Sequence, residues 1–165
     1  VQDLSPLEAR AAATLAAARA RGLKLATAES CTGGLVAGLL TAIAGSSDVF
    51  ERGFVTYSND AKAEMLGVDV ALLARRGAVD PQVAVEMAAG ALAHSKAQVA
   101  VAITGIAGPG GGSAKKPVGL VHFAVARGDR VEPVECRFGD LGRDAVRHAS
   151  IVQALDLLDA AIAWG

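Results

Sequence analysis

The sequence predicts an α/β protein, a three-layer α/β/α sandwich on a mixed, mostly parallel β-sheet. Three observations carry that expectation. Segments with helical spacing of apolar residues alternate along the chain with short strand-like segments, the pattern of a sheet covered by helices on both faces. The last two strand-like segments are joined only by Gly128-Asp129, a hairpin signal that introduces an antiparallel pair. The chain has 165 residues, is 52% hydrophobic and carries a formal net charge of -1, which suits one compact core. No internal repeat or interdomain linker is visible, so residues 1–165 are expected to form one domain.

Each element follows from local signals. Ser5-Pro6-Leu7-Glu8 has capping-box spacing with Pro at the first helical position, and the alanine-rich stretch beyond it reads as a helix to Ala20, stopped by Gly22. Leu23 to Ala28 alternates apolar and other residues as a half-buried strand does, and Leu35, Leu39, Leu40 and Ile43 then recur at helical spacing. Phe50 to Thr56 reads as a second strand, and Asn59 to Leu66 as a short helix capped by Asn59 and ended by Gly67. Asp80 and Pro81 supply the cap and first position of another helix, with Val85, Ala88, Ala89 and Leu92 as its buried stripe. Gln98 to Ile103 reads as a buried strand, Val118 to Ala126 and Val131 to Phe138 as the hairpin, and Arg143 to Ala163 as a long amphipathic helix. The glycine-rich stretch Thr104 to Ser113 is too short for a tether, which leaves a tight loop or a lid beside a ligand.

Two junctions carry candidate chemistry. Glu29-Ser30-Cys31-Thr32-Gly33-Gly34 places a hydroxyl and a thiol where a predicted strand meets a predicted helix. Free N–H groups at that helix N-terminus favour an oxyanion or a phosphate. The same residues also fit a plainer role, with Ser30 or Thr32 capping the helix and Cys31 filling a small core space. At the second junction, Tyr57-Ser58-Asn59-Asp60-Ala61-Lys62, an Asn59 cap puts Lys62 in the first helical turn, where the helix dipole disfavours a cation and lowers its pKa. A neutral lysine is a general base of the kind a serine nucleophile needs; a solvated surface lysine is the alternative.

Other candidates are weaker. Cys31 is a rival nucleophile, while His94, His122 and His148 have no local triad context. The glycine-rich stretch matches neither the phosphate-loop nor the dinucleotide pattern, but it lets backbone amides approach a ligand beside Thr104. Arg143 and Arg147, one turn apart, can reach a phosphate together or pair with Asp140 and Asp144.

Composition narrows the classes. No apolar run approaches the roughly 20 residues of a bilayer span. The N-terminal segment carries Asp3, Glu8, Arg10, Arg19 and Arg21 rather than a signal-peptide core, so no membrane partner and a cytoplasmic location are expected. Cys31 and Cys136 are too few for a disulfide framework and form no zinc spacing with the histidines, so no metal is expected. Near-neutral charge and only six aromatic residues argue against a nucleic-acid surface.

Taken together, these segments resemble the CinA C-terminal domain family, whose stand-alone bacterial members are nicotinamide mononucleotide deamidases. The resemblance covers almost the whole chain. It rests on Ala28-Glu29-Ser30-Cys31-Thr32-Gly33-Gly34, Ala44-Gly45-Ser46-Ser47, Gly53-Phe54-Val55-Thr56-Tyr57-Ser58-Asn59 with Lys62, Gly77-Ala78-Val79, Thr104-Gly105-Ile106-Ala107-Gly108-Pro109 and Lys116-Pro117-Val118-Gly119. It implies a metal-free, cofactor-free Ser/Lys amidohydrolase that converts nicotinamide mononucleotide and water to nicotinate mononucleotide and ammonia in pyridine nucleotide recycling. By the same resemblance, Ser30 attacks, Lys62 accepts its proton, and Tyr57 and Thr104 orient the dyad or bind substrate. It further implies that Thr32, Gly33, Gly34 and Gly105 contact substrate and that Arg143 and Arg147 suit the phosphate. One departure is visible: family members often carry Gly-Asp-Arg before the last helix, where this chain has Asp140-Leu141-Gly142-Arg143. The family also includes longer proteins linked to competence or DNA damage, so a non-catalytic binding module is the alternative; the joint presence of Ser30, Tyr57, Lys62 and Thr104 favours the enzyme. The alanine-rich helices leave room for an interface between copies, and a homo-oligomer, dimer or higher, is expected.

Overall fold

The computed structural model describes residues 2–165. Strand β1 (Leu25–Glu29) lies between β2 (Phe50–Val55) and β3 (Val99–Gly105). With β4 (Leu120–Arg127) and β5 (Arg130–Arg137) they form one sheet of order β2-β1-β3-β4-β5. β1 pairs in parallel with β2 and with β3, whereas β3–β4 and β4–β5 are antiparallel. Only β4 therefore runs against the other strands, as the mixed, mostly parallel expectation requires, although parallel and antiparallel pairings are equal in number. Helices α1 (Glu8–Ala20), α2 (Leu35–Ala42) and α6 (Arg143–Ala163) cover one face. Helices α3 (Asn59–Leu66), α4 (Val70–Arg76) and α5 (Pro81–Ala93) cover the other, completing three layers.

The two faces of the sheet differ in side-chain size. Leu25, Val99, Val101, Ile103, Val121, Phe123 and Val125 point toward α1, α2 and α6, while Ala26, Ala28, Ala100, Ala102, Ala124 and Ala126 point toward α5. The half-buried strand expected at Leu23 to Ala28 is thus corrected. β1 is an interior strand buried at all five positions, and its alternation is one of volume, large then small, rather than of polarity. The buried face of α5 is likewise rotated from the expected stripe. Val83, Ala84, Met87, Ala88, Gly90 and Ala91 are buried, Ala89 is exposed, and Val85 and Leu92 are only partly covered. An alanine-lined sheet selects the helix face that approaches closest, not the face with the largest residues.

Local signals succeeded unevenly. α3, its glycine stop and α6 have the expected bounds, and Asp80 caps α5 by accepting from the N–H groups of Gln82 and Val83. The expected capping box does not form. Ser5–Leu7 is a single 3-10 turn, and the Ser5 N–H donates to the Asp3 carboxylate. α4 was not anticipated, since its seven residues are too few to show a period.

The topology creates the crevice used below. The chain leaves β1 through α2 on one face, and leaves β2 through α3, α4 and α5 on the other before entering β3 beside β1. The carboxyl ends of β1 and β3 are therefore a switch point, where the connections diverge and open a crevice.

Candidate active site

Ser30 follows β1 directly into this crevice. Its N–H donates to Ile103 O at 3.0 Å, tying it to the end of β3, and its carbonyl accepts from Gly33 N at 3.0 Å to close a turn. Gly33 and Gly34 both have left-handed backbones, with φ of 60° and 97°, which lets the chain pass from strand to helix through only five residues. Glu29, fully buried at the end of β1, accepts from Val36 N at 2.9 Å and Ala37 N at 3.0 Å. Two donors of the α2 N-terminus are therefore occupied by an internal carboxylate, which corrects the expectation that they stand free for an oxyanion or a phosphate.

Lys62 enters from α3 and is completely buried. Its Nζ lies 2.9 Å from Ser30 Oγ and donates to Thr56 O at 2.7 Å. The cap of α3 is Ser58 rather than Asn59, its Oγ accepting from Ala61 N at 3.0 Å. Burial pushes the Lys62 ammonium down to about 8, so desolvation, and not the helix dipole invoked from sequence, is the main cause. A minor but appreciable fraction of the amine is then neutral near physiological pH. One N–H can remain on Thr56 O while the lone pair accepts the Ser30 hydroxyl proton. Cys31 behaves oppositely: burial first of all pushes its thiol up to about 11, leaving little thiolate at neutral pH.

A cavity of about 200 Å³ opens over this pair. Ser30, Cys31 and Lys62 form its floor, Thr104, Gly105 and Ala107 one wall, Ala78 and Val79 another, and Tyr57 and Arg143 its mouth. Thr104 Oγ1 donates to Ala78 O at 2.9 Å, linking two walls. A Cβ at Gly105 would stand 2.7 Å from Val121 Cγ2 and 2.9 Å from Leu120 O, so only glycine fits there. Tyr57 is 62% exposed, and Arg143 spans the mouth by donating to Tyr57 Oη at 3.0 Å and Gly108 O at 2.9 Å.

The structure thus brings Ser30, Lys62, Tyr57, Thr104, Gly105 and Arg143 together. Thr32, Gly33, Gly34 and Arg147 do not line the cavity; they form and brace the turn behind Ser30. None of the histidines lines it either, and His122, buried opposite Thr104 on β4, is held below its usual pKa mainly by desolvation. Sequence reasoning missed Thr56 O, which no side-chain pattern reveals. It assigned no role to Ala78, Val79 or Ala107, although the first two lie within the Gly77-Ala78-Val79 motif. The glycine-rich stretch is a tight loop rather than a lid. Ile106 N donates to Leu120 O, Gly119 N to Ile106 O and Ser113 N to Lys116 O, while Lys116 Nζ reaches Arg76 O beside the Ala78 wall. Among the described residues no helix is long and apolar enough to cross a membrane, and no three His, Cys, Asp or Glu side chains converge as a metal-binding group.

Comparison with known proteins gives concordant results. A family model described as the CinA C-terminal domain matches residues 7–162. The nicotinamide-nucleotide amidohydrolase PncC of Escherichia coli (strain K12) is 58% identical over 144 residues, covering 86% of each chain. A CinA-like protein of Synechococcus sp. (strain RCC307) is 54% identical over 141 residues, covering 85% of this chain but 34% of that longer one. Among solved structures, the competence/damage inducible protein CihA from Agrobacterium tumefaciens superposes with a TM-score of 0.92 at 54% identity, covering 94% of both chains.

Proposed function

This chain belongs to the CinA C-terminal domain family, and from that premise we propose that it hydrolyses the carboxamide of nicotinamide mononucleotide, with Ser30 as nucleophile and Lys62 as base. The observation that carries the reading is the contact of 2.9 Å between Lys62 Nζ and Ser30 Oγ, made inside the protein by an amine whose burial favours the neutral form. Ser30 Oγ attacks the carboxamide carbon as its proton passes to Lys62. The resulting ammonium returns that proton to the departing nitrogen, which leaves as ammonia, and Ser30 carries the nicotinoyl group as an ester. Water then attacks the ester, again giving a proton to Lys62, and collapse releases nicotinate mononucleotide and the Ser30 hydroxyl. The apolar side chains of Ala78, Val79 and Ala107 suit a pyridine ring, and Arg143 at the mouth suits the phosphate.

The decisive experiment is ammonia release from nicotinamide mononucleotide by the purified protein. Ser30→Ala is expected to lower kcat by at least about 10³-fold, whereas Cys31→Ala retains most activity. The opposite pattern would make the thiol the nucleophile.

A further inference from the structure

Arg147 was expected to face the phosphate, yet its guanidinium is committed elsewhere. Its Nε donates to Cys31 O at 3.1 Å and its Nη2 to Thr32 O at 3.3 Å, so one planar fork grips two successive carbonyls of the turn that carries Ser30. Gly33 adapts to this grip, since a Cβ there would sit 3.4 Å from Arg147 Nη2. Inside the turn the Gly33 N–H donates to Ser30 O and the Leu35 N–H to Thr32 O, so Arg147 adds an outer brace to a loop already closed from within. Ser30 and Cys31 border the cavity, whereas Thr32, fully buried, and Arg147 do not, which places the grip behind the nucleophile and away from substrate.

We propose that Arg147 is a positioning residue: by gripping the Cys31 and Thr32 carbonyls it fixes the turn that carries Ser30 and so holds Ser30 Oγ in place for attack. The inference rests on the proposed role of Ser30. A nucleophile held in register acts on the transition state and little on the bound substrate. Arg147 therefore serves turnover, and recognition of the phosphate falls to Arg143.

The test uses the full chain and its nucleotide substrate, with ribose 5-phosphate as a competitive probe of the phosphate site. Arg147→Ala is expected to lower kcat about a hundredfold with KM within about threefold of wild type, and millimolar guanidinium is expected to restore part of the loss. The inhibition constant of ribose 5-phosphate should stay unchanged in Arg147→Ala and rise in Arg143→Ala. Arg147→Lys, which keeps the charge but not the fork, is expected to lose about tenfold in kcat; it decides the matter if circular dichroism shows the alanine variant unfolded. A loss confined to KM, weaker inhibition of Arg147→Ala by ribose 5-phosphate, or a kcat within threefold of wild type in a folded variant would each overturn the proposal. Ser30→Ala separates the two readings. If it stays active, the nucleophile assignment fails; if it is inactive while Arg147→Ala keeps its kcat, only the clamp fails.

Discussion

Burying an amine beside a hydroxyl ties the chemistry of Lys62 to the stability of the fold. In an unfolded chain lysine holds its proton up to its ordinary pKa of 10.5, while in the folded protein it releases it near 8. Between these values the unfolded state binds more protons, so stability rises with pH through that window; below about 8 both states are protonated and the full desolvation cost remains. That cost is on the order of a few kcal/mol. Urea midpoints measured at pH 7.5 and pH 9.5 are expected to rise in wild type and to stay level in Lys62→Met, apart from changes common to both. The rate follows the same proton: kcat/KM should climb about tenfold per unit below pH 8 and then level off. A flat rate profile, or equal midpoint changes in both proteins, would remove Lys62 from the role of neutral base. The sequence indicated this lysine through its place after a strand, but attributed the shift to a helix terminus. Only the folded protein reveals Thr56 O and the enclosing walls. Arg147 shows the same limit: its spacing from Arg143 implied a shared ligand, whereas its partners lie 116 and 115 positions away in the chain.

Among the elements, the joint between β1 and α2 sets the nucleophile's position. Glu29 closes the α2 N-terminus from below through two N–H bonds, and Ser30 is its chain neighbour. Glu29→Gln keeps the shape but replaces one acceptor oxygen with a donor that faces another N–H. A loss of about 1–3 kcal/mol in unfolding free energy is expected, accompanied by lower kcat because the Ser30 turn loosens. A change below about 0.5 kcal/mol would show that the carboxylate contributes little as a cap. Helix starts were legible where a short polar side chain reaches forward, as at Asp80, whereas the local spacing at Ser5 misled because Asp3 bonds the Ser5 N–H instead. A glutamate capping from a preceding strand has no local signature.

At the scale of the whole molecule, the order of strands and helices was readable because alternation and turn chemistry are local. The orientation of α5 was not, because it depends on what the sheet offers. The two faces should respond differently to added and removed volume. Ile103→Val, on the face of large residues, is expected to cost about 0.5–1.5 kcal/mol, a partly relaxed vacancy. Ala102→Val, on the next residue but the opposite face, is expected to cost about 1–3 kcal/mol by forcing the layers apart. Thermal or urea unfolding of the two variants checks this, and equal tolerance would mean that α5 can recede freely.

The six alanines on that face leave almost nothing to trim, since every substitution except glycine adds volume. Single changes there push in one direction only, like a ratchet, and a larger residue can persist only if the opposing helix becomes smaller in the same step. Met87, fully buried in α5, is the long side chain available for that exchange. A combinatorial library at Ala102 and Met87 should therefore recover paired solutions, such as Ala102→Val with Met87→Ala, that neither position yields alone.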